Sequence, residues 1–241
     1  MVQKQRLASI PDVESLKRLS QSLAMLDAIL SPDWEFRYYS FNSKWSEGEM
    51  MASMRDGSGD DYFILFNSHG AIIKGFAHES PMSPFVNEPV KVWQGVLESV
   101  PREFQDFLSE PAFEIEATTF CIWRRYSDSS WQVGDIVYPE ENDPRTIETI
   151  KALQQNLDIV YPELKDPDGS EDLLSILDGE PSSYHSFARK YFGKEIAFSA
   201  VQHIYEHKLL TDEIIMQLNA EVSEKTLRED IEEIGYPNGV A

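Results

Sequence analysis

The sequence predicts an α+β fold: an N-terminal helix and an antiparallel sheet backed by helices, followed by an all-helical C-terminal region. Apolar residues between Pro11 and Ser31 recur at steps of three and four, which is the spacing of one helix face. Short β-prone segments separated by turn residues fill residues 34–125. After Gly134 only helical spacing remains, and strands followed by helices are typical of the α+β class.

The first helix is expected to begin at Pro11, because the missing N–H of proline has no partner in a first helical turn, and to end near Ser31. Side chains alternate from Trp34 to Ser40, which predicts the first strand. The glycine-rich turn 56–60 predicts a hairpin and lacks the spaced glycine and glutamate of a calcium loop. The other candidate strands are Met50–Arg55, Tyr62–Phe66, Ala71–Phe76 and Phe113–Arg125.

Short helices are predicted before and after the last strand. Two precede it, at Val90–Leu97 and Pro101–Leu108, and one is expected over 147–157. Five more are expected after Ser170, around Leu173–Leu177, Tyr184–Phe192, Ile196–Tyr205, Ile214–Leu218 and beyond Ser223. The polar stretch 139–144 suggests a boundary. Residues 1–140 are therefore predicted to form an α+β sheet domain, and residues 141–241 a helical region packed on it or a small separate domain.

The charge is strongly negative, with 21 Lys and Arg against 42 Asp and Glu, a net charge of −21. Residues 1–80 hold 8 basic and 11 acidic side chains, whereas residues 161–241 hold 7 and 17. Such a surface repels phosphate backbones and anionic lipids, so nucleic-acid and membrane partners are not expected. A basic protein would instead be attracted over long range, although an acid excess also favours solubility alone.

The single cysteine, the first residues and the length of the apolar stretches bear on where the protein is located. Cys121 is the single cysteine, so no internal disulfide can form, and its apolar neighbours predict a buried side chain rather than a nucleophile. The first residues lack the apolar core of a signal peptide. No stretch approaches the roughly 18 apolar residues of a membrane span. A cytoplasmic location is therefore expected.

The sharpest catalytic pattern is H-x-x-E-H at His203, Glu206 and His207. Two histidines four residues apart share a helix face, and the glutamate could activate a metal-bound water. A third ligand would have to come from elsewhere in the fold. The alternative is an ordinary surface helix whose histidine lies near the favourable C-terminal end. The phosphate-binding, dinucleotide-binding and nucleophile-elbow motifs are absent from the sequence, and no cofactor is predicted.

Residues 45–55 combine a tryptophan and an arginine with three methionines, and Trp123, Arg124 and Trp131 belong to a second patch of aromatic and basic residues. Tryptophan and arginine dominate protein–protein hot spots, and methionine-rich surfaces adapt to partners, although methionine more often fills gaps in a core. The candidate binding residues are Trp45, Met50, Met54, Arg55, Trp123, Arg124 and Trp131.

Two local resemblances add to this interpretation. Residues 48–55 (GEMMASMR), 57–60 (GSGD) and 78–84 (HESPMSP), with the helical segments 191–196 and 203–208, resemble a family of uncharacterised soluble bacterial proteins. Residues 100–108 (VPREFQDFL) are similar to a helix of the SMI1/KNR4-type (SUKH) immunity proteins, although no Asn-Gly-Gly follows and strands precede it. The second resemblance implies an acidic module that binds and neutralises toxin domains.

Together these features favour a non-catalytic interaction protein, an immunity- or antitoxin-like binder of a basic protein partner. The alternative is a metal-dependent hydrolase that uses the H-x-x-E-H helix. A small-molecule pocket between the sheet and the helices is a third possibility, on which the residues give no information.

Overall fold

The computed structural model describes residues 7–139 and 166–238. Its first long element is helix α1, Val13–Leu30. Asp12, rather than Pro11, precedes the first turn, and its carboxylate accepts the Ser15 N–H at 3.0 Å. The predicted start at Pro11 was two residues early. Asp12 has a side-chain acceptor for an N–H of the first turn and proline has none, so Asp12 is the residue that caps the helix. Every residue from Leu19 to Leu30 is buried, so α1 runs through the interior.

Six antiparallel strands form one sheet in which spatial order follows chain order. This meander confirms the predicted α+β class, and the turn 56–60 joins two of its strands as expected. The strands are β1 (Tyr39–Ser46), β2 (Glu49–Arg55), β3 (Asp61–Asn67), β4 (Gly70–Phe76), β5 (Phe120–Arg125) and β6 (Gln132–Val133).

The strand predicted to begin at Trp34 begins instead at Tyr39. Trp34–Phe36 forms a 3-10 turn, closed by the Arg37 N–H donating to the Trp34 carbonyl at 3.2 Å. Pairing with β2 reaches only as far as Tyr39, opposite Met54. Alternation alone predicted a strand here, but a strand also needs a partner for its backbone groups.

The long strand predicted over Phe113–Arg125 shortens to β5 for a similar reason. Pro111–Phe113 is a 3-10 turn, and Glu114 has a left-handed backbone with φ of 44°. The expected helices before it are irregular: 90–97 contains turns, and 101–109 holds the 3-10 turns Arg102–Phe104 and Asp106–Ser109. The backbone hydrogen bonds here span three residues, as from the Phe104 N–H to the Pro101 carbonyl and from the Leu108 N–H to the Gln105 carbonyl, so neither segment continues as an α-helix.

Short helices follow in the C-terminal part, close to their predicted positions. Thr211 caps one of them by accepting the Ile214 N–H. The segment from Ser223 to Leu227 forms a turn, so the last helix begins later than predicted. The helix predicted over 147–157 lies outside the described residues. The helices are α2 (Ser170–Leu173), α3 (Pro181–Phe192), α4 (Phe198–Tyr205), α5 (Asp212–Leu218) and α6 (Arg228–Ile234).

The sheet carries one hydrophobic layer on each face. On the first face, side chains of the sheet pack in one cluster with α1 and with α3 to α6. On the second face, the irregular segment 82–113 covers the sheet with Phe104, Phe107 and Phe113. All seven residues of β4 are buried, as expected for a strand covered on both faces. No helix in the described residues is long and apolar enough to cross a membrane.

The second face also buries a charge. The Lys74 side chain is 0% exposed, and its ammonium nitrogen lies 3.2 Å from Asp61 Oδ1. The nitrogen also lies 5.4 Å from the centroid of the Phe63 ring. Burial lowers the pKa of Lys74, while the Asp61 carboxylate acts in the opposite direction. This ion pair is therefore part of the core.

Candidate functional site

The seven residues proposed for binding do not form one surface. Trp123, Trp131 and Met54 are buried, with the Trp131 indole N–H donating to the Pro11 carbonyl at 2.7 Å. Trp123 lies in the hydrophobic layer of the second face, whereas Met54 and Trp131 lie in that of the first. These three side chains are therefore part of the core.

The other four proposed residues are at least partly accessible, but they are scattered. Trp45 stacks on Phe113 with ring centroids 5.7 Å apart, and Met50 is half-buried against the first-face core. Arg124 is half-buried and directs its guanidinium to the backbone carbonyls that follow β5. Arg55 alone of the seven is exposed, and it lies beside an aromatic group that the sequence analysis did not select.

The H-x-x-E-H residues each have a separate neighbour. His203 Nε2 lies 2.8 Å from the Leu209 carbonyl oxygen, and the Glu206 carboxylate pairs with the Lys208 ammonium. The His207 ring packs on Tyr236 with centroids 4.8 Å apart, and burial lowers its pKa. Among the residues that the structure describes, no group of three His, Cys, Asp or Glu side chains could hold a metal ion.

Cys121 is fully buried in β5, and burial raises the pKa of its thiol to about 12. A thiol with so high a pKa holds its proton at neutral pH and is a poor nucleophile. The placement agrees with the structural role expected from its apolar neighbours.

An exposed aromatic group lies where α1 leads into the sheet. The exposed fractions of Trp34, Phe36 and Tyr191 are 55%, 58% and 47%. The Arg55 guanidinium lies 4.9 Å from the Trp34 ring centroid, and the Tyr38 and Tyr191 rings meet edge to face at 5.0 Å. The backbone N–H of Arg55 donates to the Tyr38 carbonyl at 2.9 Å, and this hydrogen bond links the Trp34–Arg55 pair to the Tyr38–Tyr191 pair. We call these five residues the aromatic surface.

Unpaired carboxylates surround the aromatic surface. Asp33 and Glu35 alternate with its aromatic residues in the 3-10 turn, and Asp56 and Asp60 lie in the hairpin turn after Arg55. In residues 7–139 and 166–238, none of these four carboxylates forms an ion pair.

The carboxylates of the hairpin turn affect their neighbours. Burial raises the pKa of Tyr38 to about 12, and the charges of Asp56 and Asp60 add to this effect. Burial also raises the pKa of Asp60, with further contributions from Asp56 and Glu79. These two carboxylates therefore place negative charge beside Tyr38.

The 3-10 turn that carries Trp34 and Phe36 is held rigidly. The guanidinium of Arg37 makes two hydrogen bonds to the Asp230 carboxylate on α6, at 2.5 and 3.1 Å. It also donates to the carbonyls of Ser31 and Pro32, at 2.9 and 2.7 Å. The turn is thereby tied to both the end of α1 and α6. A pre-organised surface loses less conformational entropy when it binds.

A buried carboxylate lies beneath the aromatic surface. Asp27 on α1 is 0% exposed, and its Oδ2 accepts the Tyr38 and Tyr39 N–H groups at 2.7 and 2.8 Å. Its Oδ1 accepts the Tyr184 hydroxyl at 2.6 Å. Burial raises the pKa of Asp27 to about 6, although the three hydrogen bonds favour the charged form.

A separate cleft of about 530 Å³ lies beyond the second face of the sheet. Pro89, Val92, Trp93 and Val137 form its apolar walls, and Glu88, Lys91 and Asp135 line the remainder. The Trp93 indole N–H donates to the Val137 carbonyl at 2.9 Å. This cleft is not the pocket between sheet and helices that was considered from the sequence.

Sequence reasoning selected Arg55 but missed the four aromatic residues beside it. Trp34 and Phe36 were assigned to a strand, and Tyr191 to the apolar stripe of a helix. Charged residues on both sides of Trp34 and Phe36, just after the proline that ends α1, could have indicated exposure. No protein-family model, curated protein or solved structure matches this chain.

Proposed function

We propose that this chain is a non-catalytic binding protein whose aromatic surface docks a basic protein partner. The observation that carries the proposal is the exposure of Trp34, Phe36 and Tyr191, with the Trp34 ring against the Arg55 guanidinium and the Tyr191 ring against Tyr38. Scattered exposed apolar residues are normal in folded proteins, whereas grouped ones mark interaction sites. Tryptophan, tyrosine and arginine are the residue types most often found at binding hot spots.

Charge identifies the kind of partner. The four carboxylates around the aromatic surface form no ion pairs, and they belong to a chain whose net charge is −21. Complementary potentials accelerate encounter and suppress partners of the wrong charge. A partner that presents lysine or arginine around an apolar centre would match both the rings and their rim. This arrangement also suits an immunity- or antitoxin-like role, in which an acidic module neutralises a basic toxin domain.

A capture experiment tests this proposal. The chain is cross-linked in its native cell extract, and the recovered proteins are identified for wild type, for the double variant Trp34→Ala with Phe36→Ala, and for a control, Phe85→Ala with Val86→Ala. The control residues are 58% and 51% exposed but belong to segment 82–113, which covers the second face. We expect a stoichiometric basic partner with wild type and control, and its loss with the first variant.

Four outcomes would overturn the proposal. The first is the absence of any stoichiometric protein partner. The second is a partner that is acidic, and the third is a partner retained equally by both double variants. The fourth is self-association through the same residues, seen as a dimer in sedimentation that Trp34→Ala with Phe36→Ala dissociates.

A further inference from the structure

The aromatic surface is assembled from two distant parts of the chain. Trp34, Phe36, Tyr38 and Arg55 belong to the segment around β1 and β2, whereas Tyr191 belongs to α3. The two parts meet where the Tyr38 ring contacts the α3 rings. The geometry of the surface therefore depends on how α3 is held against the start of β1.

We propose that Asp27 is the positioning residue that holds these two parts together, an inference that rests on the proposed function of the aromatic surface. One oxygen of its carboxylate accepts the backbone N–H groups of Tyr38 and Tyr39, which fixes the start of β1. The other oxygen accepts the hydroxyl of Tyr184, which fixes α3. A single buried side chain thus bonds both parts directly.

Neighbouring aromatic rings on α3 connect Tyr184 to the exposed Tyr191. Tyr184, Phe187 and Tyr191 share one face of the helix because they lie three and four residues apart. The Phe187 ring stacks on Tyr191 with centroids 5.5 Å apart and planes 12° apart. Phe187 also meets the Tyr38 ring at 5.0 Å. A displacement of Tyr184 would therefore be transmitted to Tyr191.

Protonation of Asp27 would act on the α3 contact in particular. Two backbone N–H groups cannot turn away from Oδ2, whereas the Tyr184 hydroxyl can rotate, so the proton is expected on Oδ1. The hydroxyl must then accept instead of donate, and the hydrogen bond loses its charge assistance. The bond that holds α3 is therefore weaker in the protonated form, while the bonds to β1 remain.

The titratable and charged groups that face the Asp27 carboxylate come from the elements packed against it. The tyrosines there have pKa values raised by burial and stay neutral below pH 8. Burial holds the pKa of Asp27 at about 6, so it is the member of this group that titrates near neutral pH. The facing groups are Arg37, Tyr38, Tyr39, Tyr62, Tyr184 and Tyr205.

Nuclear magnetic resonance of the free protein tests this proposal without a partner. We expect the amide protons of Tyr38 and Tyr39 and the ring protons of Phe187 and Tyr191 to shift together, with one midpoint at about pH 6. Asp27→Asn should abolish this shared titration. Asp12→Asn, which removes a carboxylate from the start of the same helix, should leave it unchanged.

Tyr184→Phe provides a second variant in case Asp27→Asn does not fold. It removes a hydrogen bond that favours the carboxylate, so the midpoint should move to higher pH and the ring protons should no longer follow the amides. The proposal would be overturned if the amide protons of wild type shifted with pH while the ring protons of Phe187 and Tyr191 did not. It would also be overturned if amide and ring protons still shifted together in Asp27→Asn. Partner capture fails or succeeds independently of these shifts, so the two proposals are tested separately.

Discussion

At the scale of single residues, Asp27 combines specific hydrogen bonding with an unfavourable burial. Its three donors hold the start of β1 and the first turn of α3, but the carboxylate is fully removed from water. Burial therefore raises its pKa from 3.8 to about 6 in the folded protein. A charged side chain retained in this position at neutral pH is better explained by what it positions than by stability alone.

The raised pKa predicts a pH dependence of stability. The folded state holds the Asp27 proton more tightly than the unfolded state, so this contribution is present below about pH 4 and is lost as the pH rises through about 6. The shift corresponds to about 3 kcal/mol. Relative to Asp27→Asn, wild type should lose about that amount from about pH 3 to about pH 7, measured by urea unfolding. A difference that stays constant with pH would contradict the raised pKa.

The Lys74–Asp61 pair predicts an asymmetric effect of mutation. Asp61→Asn would leave the ammonium of Lys74 buried without a counter-charge, which costs on the order of 3 kcal/mol in unfolding free energy. Lys74→Met should cost much less, because the Asp61 side chain is 24% exposed and can still reach water. Urea unfolding of both variants measures the difference. A larger loss of unfolding free energy for Lys74→Met than for Asp61→Asn would show that the Lys74 ammonium is not buried as described.

At the scale of elements, the cap of α1 gives a direct prediction. The Asp12 carboxylate accepts both the N–H and the hydroxyl of Ser15, at 3.0 and 2.9 Å. Asp12→Ala should lower the free energy of unfolding by about 1 kcal/mol, whereas Asp12→Asn should have little effect because asparagine also caps helices. Thermal or urea unfolding measures both. Equal losses for the two variants would mean that charge rather than capping stabilises this end.

The elements that the sequence predicted well have strong local patterns. The apolar stripe of α1 and the short runs that became β2, β3 and β4 are each specified by spacing and by the turn residues between them. The pattern failed where structure depends on distant partners. Trp34–Phe36 alternates like a strand, yet Arg37 ties this turn to Asp230, which lies 193 positions along the chain. No local pattern contains that contact.

The candidate site was less predictable than the fold for the same reason. Composition identifies tryptophan and arginine as binding types, but it does not say which side of the sheet each will occupy. Trp123 and Trp131 lie in opposite core layers, while Trp34 is exposed beside Arg55. Only the assembled fold distinguishes these three tryptophans.

At the scale of the whole molecule, charge and shape act together. A net charge of −21 would attract basic proteins at long range without choosing a binding face, and the aromatic surface is the face that we propose. Rim charges chiefly affect the rate of association, and buried anchors chiefly affect dissociation. We therefore expect added salt to slow association of the partner and to leave its dissociation rate nearly unchanged, as measured by surface plasmon resonance. A dissociation rate that rises steeply with salt would assign the affinity to the rim instead.

The most direct test of the central claim is the affinity of the captured partner for three forms of the chain. Isothermal titration calorimetry would compare wild type, Trp34→Ala, and the control Phe85→Ala, which removes a similarly exposed ring that does not belong to the aromatic surface. We predict that Trp34→Ala weakens binding on the order of 30-fold, as expected for a hot-spot residue, and that the control changes it by less than about twofold. Equal affinities for all three forms, or a loss confined to Phe85→Ala, would show that the aromatic surface is not the binding site.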